Sequence, residues 1–160
     1  MRTRAYIGLG ANLDDPRRQV LAALEELARL PDTELTSRSS LWRSAPVGHA
    51  DQPEYVNAVA CVDTALAADA LLERLQAIEH AHGRKRSFAN APRTLDLDLL
   101  LYGGQTRDTL RLALPHPRMH ERAFVLRLLA EIAPQAQVPG RGPVGELLAG
   151  VAGQHCEREA

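Results

Sequence analysis

The stretch NAPRTLDLDLLLYGG, Asn90 to Gly104, decides how this chain is read. It is the most apolar segment of the sequence, yet it carries two carboxylates, Asp96 and Asp98, separated by a single leucine. On a helix, residues two positions apart point in different directions. On a strand they share a face. A strand turns Leu95, Leu97 and Leu99 toward a core and sets Asp96 and Asp98 on the other face, their Cα atoms roughly 6.6 Å apart at about 3.3 Å per residue. Two carboxylates at that spacing suit one or two hard divalent cations. Mg²⁺ takes one or two carboxylates and completes its shell with phosphate oxygens and water. A strand that merely shows a polar face to solvent has the same alternation, so the neighbouring residues have to decide.

Those neighbours are basic. Arg84, Lys85, Arg86 and Arg93 lie just upstream, and Arg111, His116, Arg118 and Arg122 follow. Residues 84–127 hold nine of the nineteen Lys and Arg and only four of the twenty Asp and Glu, in a chain whose net charge is -1. A near-neutral protein with one basic segment points to a localised anionic ligand rather than to a coat of nucleic acid. Arginine forks beside a carboxylate pair are recurring parts of phosphoryl transfer, where catalysis is mostly positioning and charge neutralisation. There is no Walker A sequence. Gly8 and Gly10, in GLGAN, are too few for a dinucleotide fingerprint and are read as a turn or a place where something approaches the backbone closely.

Working outward, RAYIGLG is a first strand. DDPRRQVLAALEELARL is a helix capped by Asp14 or Asp15, with Pro16 at its first position. TELTSRSSLWRS reads as one strand, APVGHADQPEY as a loop and YVNAVACVDT as another strand. AADALLERLQAIEHAHG is an amphipathic helix stopped by Gly83. RKRSFANAP is a basic loop, expected to be mobile without ligands and to close over them as a lid. HERAFVLRLLAEIAP is a helix ending before Pro134, and the tail offers one short helix near PVGELLAGV. The order β-α-β-β-α-β plus a helix predicts an α+β fold with a ferredoxin-like core, an antiparallel sheet with helices on one face. The 160 residues, 45% of them apolar, suit a single domain spanning 1–160. Cys61 and Cys156 fit neither a metal spacing nor a disulfide framework. No secretory leader and no membrane span is evident, so the expected location is the cytoplasm.

APRTLDLDLLLYG together with LPHPRMHERAFVLRLLAEIAP resembles the 6-hydroxymethyl-7,8-dihydropterin pyrophosphokinases of folate biosynthesis. YIGLGANL, APVGHADQPEYVNAV and IEHAHGRKR match that family's other blocks in order, from Tyr6 to about Pro134. The resemblance implies transfer of pyrophosphate from ATP to the pterin hydroxymethyl oxygen, with AMP released. It implies two Mg²⁺ ions held by Asp96 and Asp98, and catalytic roles for Arg84 and Arg93 at the phosphates. ATP would be bound by Gln76, Glu79, Arg86, Leu99, Arg111, His116 and Arg122. The pterin would lie among Ser44, Ala45, Val47, Tyr55, Asn57 and Phe124, where aromatic faces can stack on a flat ring and an amide can pair with its edge. No nucleic-acid or membrane partner is implied, and a monomer is expected. Two positions depart from some members. Asn90-Ala91 replaces a Trp-Gly pair before the Pro-Arg, and Pro117 stands where a tyrosine can follow the histidine. The rival readings are another Mg²⁺-dependent nucleotidyltransferase, which generally carries a Gly-Ser helix start before its acids where this chain has Arg93-Thr94, and a non-catalytic binding module, which would not need acids and arginines together.

Overall fold

The computed structural model describes residues 2–13, 15–44, 54–83 and 95–158. In chain order these form β1 (Thr3–Ala11), α1 (Pro16–Ala28), β2 (Thr33–Arg38), β3 (Trp42–Ser44), β4 (Tyr55–Thr64), α2 (Ala68–Ala81) and β5 (Asp96–Tyr102). A hairpin of β6 (Arg107–Asp108) and β7 (Ala113–Leu114) follows, then α3 (Ala123–Ile132), a hairpin of β8 (Gln137–Val138) and β9 (Gly142–Pro143), α4 (Val144–Leu147) and β10 (Cys156–Arg158). The main sheet runs β10-β3-β4-β1-β5, with β2 also on β4, and every pairing in it is antiparallel. With β2 and β3 counted together as one strand and β10 set aside, this is the strand order of the split βαβ fold.

Alternation sorts the two faces. Ala5, Ile7 and Leu9 of β1, Ala58, Ala60 and Val62 of β4, and Leu97 and Leu99 of β5 pack on Val20, Leu24 and Leu27 of α1 and Leu71 and Leu75 of α2. Each fully buried leucine here contributes roughly 1.5–3 kcal/mol over its exposed state. The opposite face is covered over part of its length: Val59, Leu100 and Leu101 meet Leu126 and Leu129 of α3, with Val138, Val144 and Val151 of the tail beyond. The helices are therefore not confined to one face. A register shift between Tyr6 and Ile7 against β5 pairs Tyr6 with Leu101 and Ile7 with Leu99, leaving Leu100 as the extra residue. This bulge delivers both Leu100 and Leu101 to the second cluster.

Three local expectations change. Of the two candidate caps Asp14 lies outside the described residues, and Asp15 sits before α1 in a left-handed conformation, φ 60°, and makes no side-chain cap bond. Its carbonyl accepts from Gln19 N–H at 3.1 Å; Pro16 does open the helix. TELTSRSSLWRS is two strands rather than one. Ser39 breaks it, donating its N–H to Val59 O at 2.8 Å while its hydroxyl accepts from Val59 N–H at 2.9 Å. The tail holds more than a short helix, because β10 pairs with β3, Cys156 opposite Ser44. Gly83 ends α2 as expected, at φ 82°. Among the described residues no helix is long and apolar enough to cross a membrane.

Candidate active site

The two aspartates stand on the second face of β5, at the end that α3 leaves uncovered. Their cross-strand neighbours are glycines: Gly10 lies opposite Asp96 and Gly8 opposite Asp98. On the other side of β1, Gly10 faces Asn57 and Gly8 faces Val59. Two missing side chains in the middle strand open a slot between β5 and β4. That slot is lined by Gly8, Gly10, Ser44, Tyr55, Asn57, Val59, Asp96, Asp98, Leu100, Arg122, Phe124 and Val125.

Each wall has an identifiable support. Asn57 and Ser44 are buried, 3% and 4% exposed. The Asn57 amide donates to Ser44 Oγ at 2.8 Å, which fixes its orientation. A Cβ added at Gly10 would lie 3.2 Å from Asn57 Oδ1, so that position is shaped to leave the amide room. The free edge of β5 is tied at two points. Glu79 of α2, 7% exposed, accepts from Leu97 N–H at 2.8 Å, and His116 N–H donates to Leu100 O at 2.9 Å. The second bond carries the His116 ring to the acids, its Nε2 3.9 Å from Asp98 Oδ1. Its Nδ1 accepts from Arg118 N–H at 3.2 Å. Burial pushes the imidazole down from 6.5 to about 4, helped by the charges of Arg122 and Arg118 and opposed by Asp96. At neutral pH the ring is uncharged. With Nδ1 accepting, its proton sits on Nε2, facing the acid pair. Arg122 leads into α3, and its guanidinium lies 5.6 Å from the centre of the Phe124 ring, a cation–π contact.

Of the residues singled out from the sequence, the slot thus gathers Ser44, Tyr55, Asn57, Asp96, Asp98, Arg122 and Phe124, with His116 at its edge. Others lie elsewhere. Leu99 buries its side chain in the α1–α2 core, and Gln76 is exposed on α2. Arg111 pairs with Glu73 at 2.6 Å, on the hairpin side of α2. Ala45, Val47, Arg84, Arg86 and Arg93, the basic loop read as a lid, and the Asn90-Ala91 departure lie outside the described residues. Val59, Leu100 and Val125 line the slot without having been singled out, because nothing in the sequence separates them from core. Among the described residues no three His, Cys, Asp or Glu side chains converge as a metal cage. The acid pair fits Mg²⁺ in the way that ion is ordinarily held, two carboxylates with the remaining positions left to phosphate and water.

A split βαβ sheet whose open end sets paired acids, a neutral imidazole and an arginine against a polar-edged aromatic slot is built for group transfer to a flat small molecule. The profile of the 7,8-dihydro-6-hydroxymethylpterin-pyrophosphokinase (HPPK) family matches residues 6–134, and the chain belongs to this family, whose reaction is pyrophosphoryl transfer to a hydroxymethyldihydropterin in folate biosynthesis. A Pseudomonas aeruginosa protein named 2-amino-4-hydroxy-6-hydroxymethyldihydropteridine pyrophosphokinase is 49% identical over 158 residues, 99% of this chain and 98% of its own. A Haemophilus influenzae protein of the same name is 46% identical over 144 residues, 90% of each chain. The fold also matches a crystal structure of Plasmodium falciparum HPPK-DHPS A437G with STZ-DHP, TM-score 0.73 at 12% identity, covering 93% of this chain and 45% of that one. This chain therefore spans less than half the length of that solved protein, and the likeness speaks for the fold.

Proposed function

We propose that this enzyme takes its pyrophosphoryl group from ATP, requires Mg²⁺, and transfers to the hydroxymethyl oxygen of 6-hydroxymethyl-7,8-dihydropterin, releasing AMP. The observation that carries this reading is one slot with two chemically distinct ends: the acid pair with His116 and Arg122, and the Asn57–Ser44 pair with Tyr55 and Phe124. The first end suits a triphosphate and the second a pterin.

Asp96 and Asp98 would hold two Mg²⁺ ions, which would supply positive charge to offset that of the triphosphate. His116 donates its Nε2–H to a phosphate oxygen without adding a charge. Arg122, always cationic, contributes a planar fork to the same anion. Arg84 and Arg93 act at the phosphates, and Arg86 flanks the nucleotide. Gln76, Glu79, Leu99 and Arg111 bound the nucleotide side, Glu79 chiefly by holding Leu97 and with it the neighbouring acids. At the other end Asn57 pairs with the pterin edge, while Tyr55 and Phe124 supply ring faces. Ser44, with Ala45 and Val47 beyond it, closes that wall.

The test is to follow AMP from ATP with each component withheld in turn. AMP should form only when the hydroxymethyldihydropterin and Mg²⁺ are both present. AMP release without the pterin, or undiminished turnover in excess EDTA, overturns the reading.

A further inference from the structure

The tail after Pro134 lies beyond the span matched by the family profile, yet one of its side chains brackets a residue that lines the slot. Gln154 Oε1 accepts from Ala123 N–H at 2.9 Å, and its Nε2 donates to Glu121 O at 2.7 Å. These two backbone groups flank a single residue, Arg122. In an extended residue, the carbonyl before it and the N–H after it point to the same side, as in a sheet ladder. Arg122 is extended, φ -122° and ψ 117°. The Gln154 amide thus supplies the pair of bonds a neighbouring strand would make, in the space of one side chain.

The position matters because α3 has no cap of its own. No side chain at its N-cap bonds its first turn, and Ala123, at 1% exposure, has a buried N–H that needs an acceptor. Two residues beyond Gln154 the chain enters β10, where Cys156 pairs with Ser44 on the opposite wall of the slot. Arg127 Nη1 donates to Cys156 O at 3.2 Å and ties α3 to that strand. The same short segment therefore braces both the strand that bears Ser44 and the turn that bears Arg122.

We infer that Gln154 is a positioning residue for the transfer reaction: its amide fixes the backbone of Arg122 and so aims the Arg122–Phe124 pair into the slot. The inference rests on the placement of Arg122 and Phe124 in the active site given above. Gln154 itself is exposed and touches neither acid, so it acts only through the residue it brackets.

The experiment is a double-mutant cycle in the full chain with Gln154→Ala, Gln154→Met and Arg122→Ala, read as kcat and KM for both substrates well below the lowest Tm of the set. Met keeps the length and most of the shape of Gln but makes neither bond. Gln154→Ala and Gln154→Met should each lower kcat/KM about 5- to 20-fold, the scale of losing one or two ordinary hydrogen bonds. The Gln154 changes should have little further effect, under about 2-fold, in the Arg122→Ala background. Wild-type kinetics for Gln154→Met would reduce the role to packing and overturn the inference. A full additional loss on top of Arg122→Ala would also overturn it, since the effect would then not pass through Arg122. A normal Arg122→Ala enzyme would instead remove the active-site reading on which the inference rests.

Discussion

His116 Nε2 stands 3.9 Å from Asp98 Oδ1 while its Nδ1 accepts the Arg118 backbone N–H. The second contact gives the first its meaning. A ring nitrogen that accepts cannot carry the proton, so the neutral imidazole points its one N–H at the acid end of the slot. Protonating Nδ1 would break the Arg118 bond and place a second cation beside Arg122. Burial and those arginine charges are why the ring stays neutral until about pH 4.

A pH dependence of stability follows. The unfolded histidine binds a proton near pH 6.5 and the folded one only near 4. Between those values the unfolded state holds more protons, so stability falls as pH is lowered through that window and the histidine contributes no slope above it. In metal-free protein the loss from this residue at about pH 5 should be on the order of 2 kcal/mol. Urea unfolding at about pH 7.5 and about pH 5 should show His116→Gln losing less stability than the parent chain. Equal losses would mean that His116 is not the group responsible.

Asp96→Asn and Asp98→Asn test the acid pair. Both side chains are only partly buried and lie opposite glycine, so the amides fit without repacking the core. Turnover should drop about a thousandfold or more, roughly 4 kcal/mol of transition-state stabilisation, while Tm moves by a few degrees at most. AMP formation and thermal unfolding measured on the same samples check this, and near-parental activity in both variants would rule out the metal role.

Much of this arrangement can be read from the sequence because strand alternation is local. Leu95, Leu97 and Leu99 fall on the core side, Asp96 and Asp98 on the other, and YVNAVACVDT coincides with β4. Gly8 and Gly10, for which the sequence leaves a turn or a close approach open, lie within β1 and line the slot. The misreadings share a different cause: contacts between residues far apart in sequence. Ser39 breaks its strand by bonding Val59, and β10 is three residues long, too short for any periodicity, and exists by pairing with β3. Gln76, exposed on α2, and Arg111, bonded to Glu73, lie outside the slot; strand alternation does not reach them, and their assignment to the nucleotide comes from the family resemblance.

The pterin end predicts a contrast between two glycines. A Cβ at Gly10 would press on Asn57 Oδ1 at 3.2 Å, whereas at Gly8 it would meet Leu100 at an ordinary 3.5 Å. Gly8→Ala should leave Tm unchanged or raise it, since alanine restricts the unfolded chain, worth about 0.4–1 kcal/mol. Gly10→Ala should lower it. Calorimetric titration should show Gly10→Ala weakening pterin binding more than ATP binding. Asn57→Ala should do so more strongly, by roughly 1–3 kcal/mol, because it leaves the ligand edge unpaired. Equal losses for both ligands would make Asn57 a structural residue only.

The last prediction concerns Glu131 of α3, which holds β3 in place from behind. Its carboxylate accepts from Ser40 N–H at 2.8 Å, Ser40 Oγ–H at 2.9 Å and Trp42 Nε1–H at 2.9 Å. Burial would raise its pKa, but the indole and serine donors outweigh that and hold it below 4.5. All three partners donate, so a group with its own N–H cannot replace it: Glu131→Gln must turn its amide hydrogens toward either Trp42 or Ser40. Glu131→Gln should therefore be about as damaging as Glu131→Ala, on the order of 1 kcal/mol after allowance for the exposure of the site. Because the folded pKa is depressed, this stabilisation is present above about pH 4.5 and fades as pH falls through the folded value. Unfolding curves of parent and variants should accordingly converge on acidification. Trp42 also lies two residues before Ser44, the partner of Asn57, so both variants should bind pterin more weakly while ATP binding changes less. A Glu131→Gln protein with parental stability at neutral pH would show that the three donors do not need a carboxylate.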